Sequence, residues 1–177
     1  MQTVEAAVPQ AGWIRRVLIG RDFKLTLVRI VIWVALLWVL GRCVLVPVRV
    51  NGISMLPTYQ QEGRNFVNRL AYVFHEPRRG DVVAIRLDPH VRFPHLLYLK
   101  RVIGLPGETI SFQEGHAYVD GEQLDEPYVK YPCHWAHEPL KLGPGEYYVV
   151  GDNRSMAWED HEHGIATRGQ IVGQPIW

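Results

Sequence analysis

Cysteine is scarce in this chain of 177 residues, and the two present, Cys43 and Cys133, make no disulfide framework and match no zinc spacing. They read as two free thiols, so neither redox staples nor a thiolate metal site is expected. Net charge is equally sparse: 19 Lys and Arg against 18 Asp and Glu leave a formal +1, with no basic stripe interleaved with aromatics. That balance argues against nucleic acid as a partner. There is no internal repeat and no low-complexity tract, which sets aside solenoids and tethers. What remains, 47% hydrophobic and 21% charged, is the composition of one folded domain with an appendage.

The near-zero charge hides an asymmetry. Arg15, Arg16, Arg21, Lys24 and Arg29 face only Glu5 and Asp22 at the amino-terminal end. Residues 1–24 are polar and irregular, with Pro9 and Gly12, and read as a short cytoplasmic tail. From Leu25 to Val46 the chain is apolar apart from Thr26, Arg29, Gly41 and Arg42. As a helix this stretch is about 33 Å long, enough for the hydrocarbon core of a bilayer. Arg29 and Arg42 lie near its ends, where long side chains snorkel, and Trp33 and Trp38 add bulk. The basic flank stays inside, so residues 25–46 are expected to be a single transmembrane helix and residues 47–177 an extracytoplasmic domain. Three other readings compete. A buried soluble helix fits the shortness of the charge-free run Ile30 to Leu40. A cleavable signal peptide suffers from its long leader and from Gly41-Arg42-Cys43, a poor cleavage site. A lipoprotein-type site at Cys43 is opposed by Arg42, where a small residue is wanted.

After Pro47 the texture changes to short β-type runs divided by Gly and Pro. Candidate strands are Val48 to Val50, Asn65 to Asn68, Asp81 to Arg86, Tyr98 to Ile103, Thr109 to Phe112, Ala117 to Val119, Tyr147 to Val150 and Gln170 to Val172. The fold class is mainly β, an all-β barrel or sandwich. Tyr128 to Leu142, rich in His, Pro and Lys, reads as a long surface loop or insertion.

One hydroxyl stands out. Ser54 sits in Asn51-Gly52-Ile53-Ser54-Met55-Leu56-Pro57-Thr58, a Gly- and Pro-bounded turn just after the apolar segment. A serine attacks at neutral pH only with a base and an oxyanion site at hand. Eight histidines and the lysines are candidate bases, and spacing alone does not choose among them. Lys100 has the most distinctive setting: strict alternation along the run Leu97 to Ile103 puts it on one face with Tyr98 and Val102, while Arg101 points the other way with Leu99 and Ile103. Desolvation lowers a lysine pKa from about 10.4 toward the range of roughly 7 to 8 that suits a general base. Such a shift costs on the order of 4 kcal/mol. By texture alone, an edge-strand lysine facing water is the commoner arrangement.

Four stretches, taken in order, bear a family resemblance: Gly52-Ile53-Ser54-Met55-Leu56-Pro57-Thr58; Arg79-Gly80-Asp81-Val82-Val83; Lys100-Arg101-Val102-Ile103-Gly104-Leu105-Pro106-Gly107-Glu108; and Gly151-Asp152-Asn153-Arg154. Together with the amino-terminal anchor they resemble the boxes of bacterial type I signal peptidases over nearly the whole chain. The resemblance implies a signal-peptidase-type barrel or sandwich of short antiparallel strands behind one transmembrane helix. It also implies a membrane-bound serine endopeptidase that cuts exported preproteins after small residues at positions minus 1 and minus 3. Ser54 is then the nucleophile and Lys100 the base, a Ser-Lys variant of triad logic. No metal or organic cofactor is implied.

The same resemblance assigns the backbone N–H of Ser54 to the oxyanion site. It also puts Met55 against the substrate groove, where the peptide would lie extended against strand edges; apolar side chains near Ile53, Met55, Leu97, Tyr98 and Leu99 are expected to form its small, shallow pockets. Asp152 is expected to pair with Arg101 and brace the strand carrying Lys100. The chain departs from the pattern at three places: Gly52 stands where some members carry a second oxyanion hydroxyl, Ala157 where a serine commonly bonds the lysine, and His161 where an arginine closes the box. Glu159 replaces an aspartate. Ser155 is left as an alternative group to orient Lys100, and His161 is expected to take the arginine's part in the brace around Asp152. A metal cluster of His134, His137, His161 and His163 is the weaker reading of the histidines, because their spacing lacks a helix pattern. Arg79-Gly80-Asp81 reads as a turn feeding a strand. Expected partners are signal peptides of secreted preproteins and membrane lipid, with the protein a monomer. The alternatives left open are a specialised processing peptidase of a pilin or conjugation system, a self-cleaving repressor, and a catalytically silent membrane-anchored β domain that binds peptides.

Overall fold

The computed structural model describes residues 23–49, 52–86, 97–159 and 163–176. It has two compact units, Met1–Arg42 and Cys43–Trp177. Helix α1 runs Phe23–Val44, its last two residues falling in the second unit, and its segment Lys24–Arg42 has mean hydropathy 2.0 with none of it buried. By length and composition it suffices to cross a membrane, and its apolar surface is not a core helix's surface. The helix stops short of the expected Val46 because Leu45 and Val46 pair with Asn68 and Val67, which starts the first strand.

The second unit holds eleven strands among the described residues: β1 Leu45–Arg49, β2 Arg64–Asn68, β3 Val82–Ile85, β4 Tyr98–Gly104, β5 Thr109–Gln113, β6 His116–Val119, β7 Glu122–Gln123, β8 His137–Lys141, β9 Glu146–Val150, β10 Gly164–Thr167 and β11 Ile171–Ile176. Seven form one antiparallel sheet in the order β1-β2-β11-β3-β4-β9-β10, and four form a second, β7-β6-β5-β8. All strand pairings within the two sheets are antiparallel.

Alternation decides where the cores lie. Val82, Ala84 and Leu99 join Val48, Met55, Tyr59 and Val67 in one cluster, while Val83, Ile85 and Val102 join Tyr72, Tyr147, Val149, Ala166 and Ile171 in another. The large sheet is therefore apolar on both faces at β3 and β4, which is why β3 reads as an unbroken Val-Val-Ala-Ile. A third cluster, Ile103, Ile110, Phe112, Trp135, Leu142, Tyr148 and Val150, draws residues from both sheets.

Three strands lie where none was expected. β8 falls inside the Tyr128 to Leu142 segment read as a loop; its residues are mostly exposed at the sheet's edge, so no alternation marks it. β10 is also an edge strand, and β7 has only two residues. At Gly173 the β11 register shifts against β3, and a Cβ there would stand 2.2 Å from the Asn68 carbonyl oxygen. That oxygen is backbone in a paired strand and has no room to yield. Gly173→Ala is therefore expected to destabilise the protein by about 2–3 kcal/mol, read as a lower midpoint in urea unfolding of the full chain in detergent.

Candidate active site

Ser54 stands half-buried in an irregular turn closed by Leu56 N–H to Ile53 C=O at 3.1 Å and Tyr59 N–H to Met55 C=O at 2.9 Å. Its Leu56–Pro57 peptide is cis. Gly52 has φ of +109°, a conformation that L side chains rarely adopt, although open space surrounds the position where a Cβ would be. The missing side chain at 52 thus has a backbone reason.

Two residues of the Gly151–Arg154 segment fix this turn. Asn153 donates its N–H to the Ser54 carbonyl at 2.9 Å and its side-chain amide to the Ile53 carbonyl at 3.1 Å. Thr58 Oγ1 donates to Asp152 Oδ2. Asp152, fully buried, receives Arg101 through two parallel bonds, Nε to Oδ1 at 2.8 Å and Nη2 to Oδ2 at 2.6 Å. Arg101 also donates to the Gly80 carbonyl at 2.6 Å, and its guanidinium lies 3.9 Å from the Tyr128 ring centroid. Burial works against the Arg101 charge, but the bonds to Asp152 outweigh it and hold its pKa above the ordinary value. Arg154 is buried too, paired with Glu126 and donating Nε to the Gly151 carbonyl at 3.0 Å.

Lys100 lies one residue along β4 from this brace. β4 runs between β3 and β9, so the lysine is on an interior strand, correcting the edge-strand arrangement that texture alone favours. It is opposite Val83 and only 1% exposed. Arg101 is opposite Val150, the last residue of β9, so Lys100 sits where β9 gives way to the segment that holds Ser54. The serine turn and the lysine strand are thus joined to the same strand end from two directions.

The expected groove residues do not share one environment. Ile53 is exposed, but Met55 and Leu99 are buried in one cluster, and Tyr98 packs against the cluster on the opposite face. Apolar side chains beside the turn fold inward to the core rather than forming an open wall. Leu97 packs on the Met55 cluster. Ser155 Oγ donates to Asn153 Oδ1 at 2.7 Å, so it supports the turn's anchor instead of serving as a free hydroxyl. Glu159 is exposed, and His161 lies outside the described residues. Cys133 is a buried free thiol. Among the described residues no three His, Cys, Asp or Glu side chains are grouped as metal ligands would be. Asn153, Tyr128 and Glu126 are the parts that sequence reasoning passed over. Buried Arg154 demands a carboxylate, yet nothing in the spacing points to Glu126.

Fold and site together define the class: a mainly β domain that follows an apolar helix in sequence, with a serine turn tethered to the segment after β9 and a buried lysine on the interior strand that pairs with β9. The family described as signal peptidase, peptidase S26, matches residues 24–177, and the chain belongs to it. Signal peptidase I of Leptolyngbya laminosa is 35% identical over 127 residues, 70% of this chain and 63% of that one. Probable signal peptidase I-2 of Synechocystis sp. is 32% identical over 68% of this chain and 56% of its own length. Signal peptidase I V of Bacillus subtilis is 33% identical over 73% and 83%. A solved signal peptidase I from Enterococcus faecalis V583 is 27% identical, covering 56% of this chain and 96% of that one, with a TM-score of 0.44. The alignments thus take in 56% and 63% of the two cyanobacterial relatives, less than two thirds of their length.

The brace can be tested by itself. Asp152→Ala leaves Arg101 in a largely buried setting without its carboxylate, so it is expected to cost about 3 kcal/mol of stability. In a double-mutant cycle, Arg101→Met should recover part of that loss; additive effects of the two changes would show that the pair does not hold the strand to the turn.

Proposed function

We propose that this chain is a membrane-anchored serine endopeptidase that removes signal peptides from exported preproteins. Ser54 is the nucleophile and Lys100 the general base. The observation that carries this reading is a lysine withdrawn from water on an interior strand, at the strand end where Asn153 tethers the Ser54 turn. Family membership supports the reaction class.

In this mechanism a neutral Lys100 accepts the Ser54 hydroxyl proton as Oγ bonds to the scissile carbonyl carbon. The carbonyl oxygen takes the negative charge, stabilised by the Ser54 N–H. One oxyanion donor of that kind is typically worth about 3 to 4 kcal/mol. The proton then passes to the leaving amine as the C–N bond breaks, giving an acyl-enzyme, and water attacks the ester with Lys100 again as base. Apolar neighbours on the Lys100 face favour the uncharged amine, which is the form the reaction needs.

Helix α1 is the anchor, with residues 1–24 cytoplasmic and the domain 47–177 outside, by the excess of basic residues ahead of the span. Lipid is then a standing partner of the helix, the working unit is a monomer, and the reaction requires no cofactor. The anchor keeps the nucleophile with the membrane from which a translocated signal peptide emerges.

Ser54→Ala and Lys100→Ala are each expected to abolish preprotein cleavage while the chain still folds and inserts. Near wild-type turnover in either would sink the Ser–Lys assignment, and binding without turnover in the wild type would point to a peptide-binding domain. Cleavage by the wild type should rise with pH through an apparent pKa below the roughly 10.4 of free lysine; a flat profile from about pH 6 to 10 would count against a deprotonated lysine.

A further inference from the structure

The segment from Arg154 to Trp158 follows the anchor of the Ser54 turn and has no ladder of its own, so its carbonyls depend on side-chain donors. Two are supplied from elsewhere. Trp135 Nε1–H donates to the Met156 carbonyl at 3.1 Å, and His163 Nε2 lies 3.2 Å from the Trp158 carbonyl. The indole of Trp158 fills an aromatic cage, with ring centroids 3.8 Å from His163, 4.8 Å from His137, 5.2 Å from Trp135 and 5.6 Å from Phe112. At its other end the segment is tied by Ser155 to Asn153, and Asn153 holds the Ile53 and Ser54 carbonyls.

The bonding of His163 fixes its tautomer. A carbonyl only accepts, so Nε2 carries the proton; Nδ1 of the neutral ring then accepts the Tyr148 hydroxyl, 3.2 Å away on β9. Protonation at Nδ1 leaves the Nε2–H bond to Trp158 in place but sets a donor against the Tyr148 hydroxyl and a charge in a half-buried site, so acid disturbs the seat of the ring, not its donor. We propose that His163 is a positioning residue for the Ser54 site: its Nε2–H clamps the Trp158 carbonyl while its neutral Nδ1, accepting the Tyr148 hydroxyl, keeps the ring seated, and together they fix the segment on which the Ser54 anchor rests. The proposal rests on the Ser54–Lys100 reading for its effect on rate, but the clamp itself is independent of it.

Among the described residues, the titratable groups bearing on His163 are Tyr148 from β9, His137 from β8 and Lys100 from β4. Burial lowers the His163 pKa below its usual 6.5; positive charge on His137 or Lys100 adds to this, and the Trp158 carbonyl opposes it. The ring is therefore neutral at neutral pH. Because the folded pKa is depressed, the stability it contributes is complete above the unfolded value and is lost as pH falls through the folded one.

The test uses the full chain in detergent micelles, with kcat, KM and pH profiles on a preprotein and NMR titration of His163. His163→Phe keeps a ring in the cage but removes both bonds; it is expected to lower kcat about tenfold with KM within about twofold. His163→Gln, whose amide offers a donor toward Trp158 and an acceptor toward Tyr148 but does not titrate, should recover most of kcat and lose the acid-side inflection of the wild type. Tyr148→Phe removes the bond to the neutral form and should move that inflection to higher pH. In the wild type the Asn153 and Ser155 amide signals should shift along the His163 titration and cease to do so in His163→Gln. Should His163→Phe fail to fold, the other two variants decide. Wild-type kcat in His163→Phe, an acid inflection that persists in His163→Gln, or amide signals indifferent to the His163 titration would overturn the clamp. Cleavage by Ser54→Ala beside an intact NMR coupling would instead bring down the Ser–Lys reading alone.

Discussion

The Arg101–Asp152 pair is the constraint from which the site is built. A carboxylate with no exposure is tolerable only if its oxygens are filled, and here the two guanidinium bonds and the Thr58 hydroxyl fill them. The same guanidinium reaches the Gly80 carbonyl, so one charge pair fastens β4, the turn before β3, the Asp152 segment and the Ser54 turn. Such a pair adds little net stability against an apolar replacement, because both charges give up their water. Its worth is geometric: bidentate bonding allows one arrangement of strand and turn, and a slip of either would leave a buried charge unmet.

Alternation along β4 then does the rest. With Arg101 committed to Asp152 on one face, Lys100 must project from the other, among Val83, Val102 and their cluster. Neighbouring cationic residues thus meet opposite environments, one neutralised by a carboxylate and one held against apolar side chains. A guanidinium suits the first role, being always charged and able to bond in a fork, while an ammonium can give up its proton and suits the second. The Lys-Arg dipeptide is therefore a division of labour imposed by the pleat.

Much of this is legible in the sequence. The strands that carry the site have strong β character, and period two correctly separates Lys100 from Arg101. Periodicity assigns a face but not a place in the sheet, which is why β4 could be read as an edge when it lies between β3 and β9. The edge strands β8 and β10 were missed for the converse reason, since a strand with little apolar surface to bury leaves a weak pattern. Asn153 and Thr58 stand within the quoted motifs, yet the bonds Asn153 to Ile53 and Thr58 to Asp152 join chain segments roughly a hundred residues apart. Met55 and Leu99 show a further limit: apolar residues near Ser54 read the same in sequence whether they line a groove or fill the core, and here both are buried in one cluster.

The departures from the family pattern follow the same physics. At Gly52 the backbone lies at positive φ, so the turn is shaped by a residue that cannot also offer a hydroxyl. At Ala157 the segment has no polar side chain of its own, but both flanking carbonyls are held, Met156 by Trp135 and Trp158 by His163, and the Trp158 indole is locked in its cage. The hold on Trp158 thereby rests on a ring whose seat against Tyr148 changes with its protonation state, which a hydroxyl at 157 would not do.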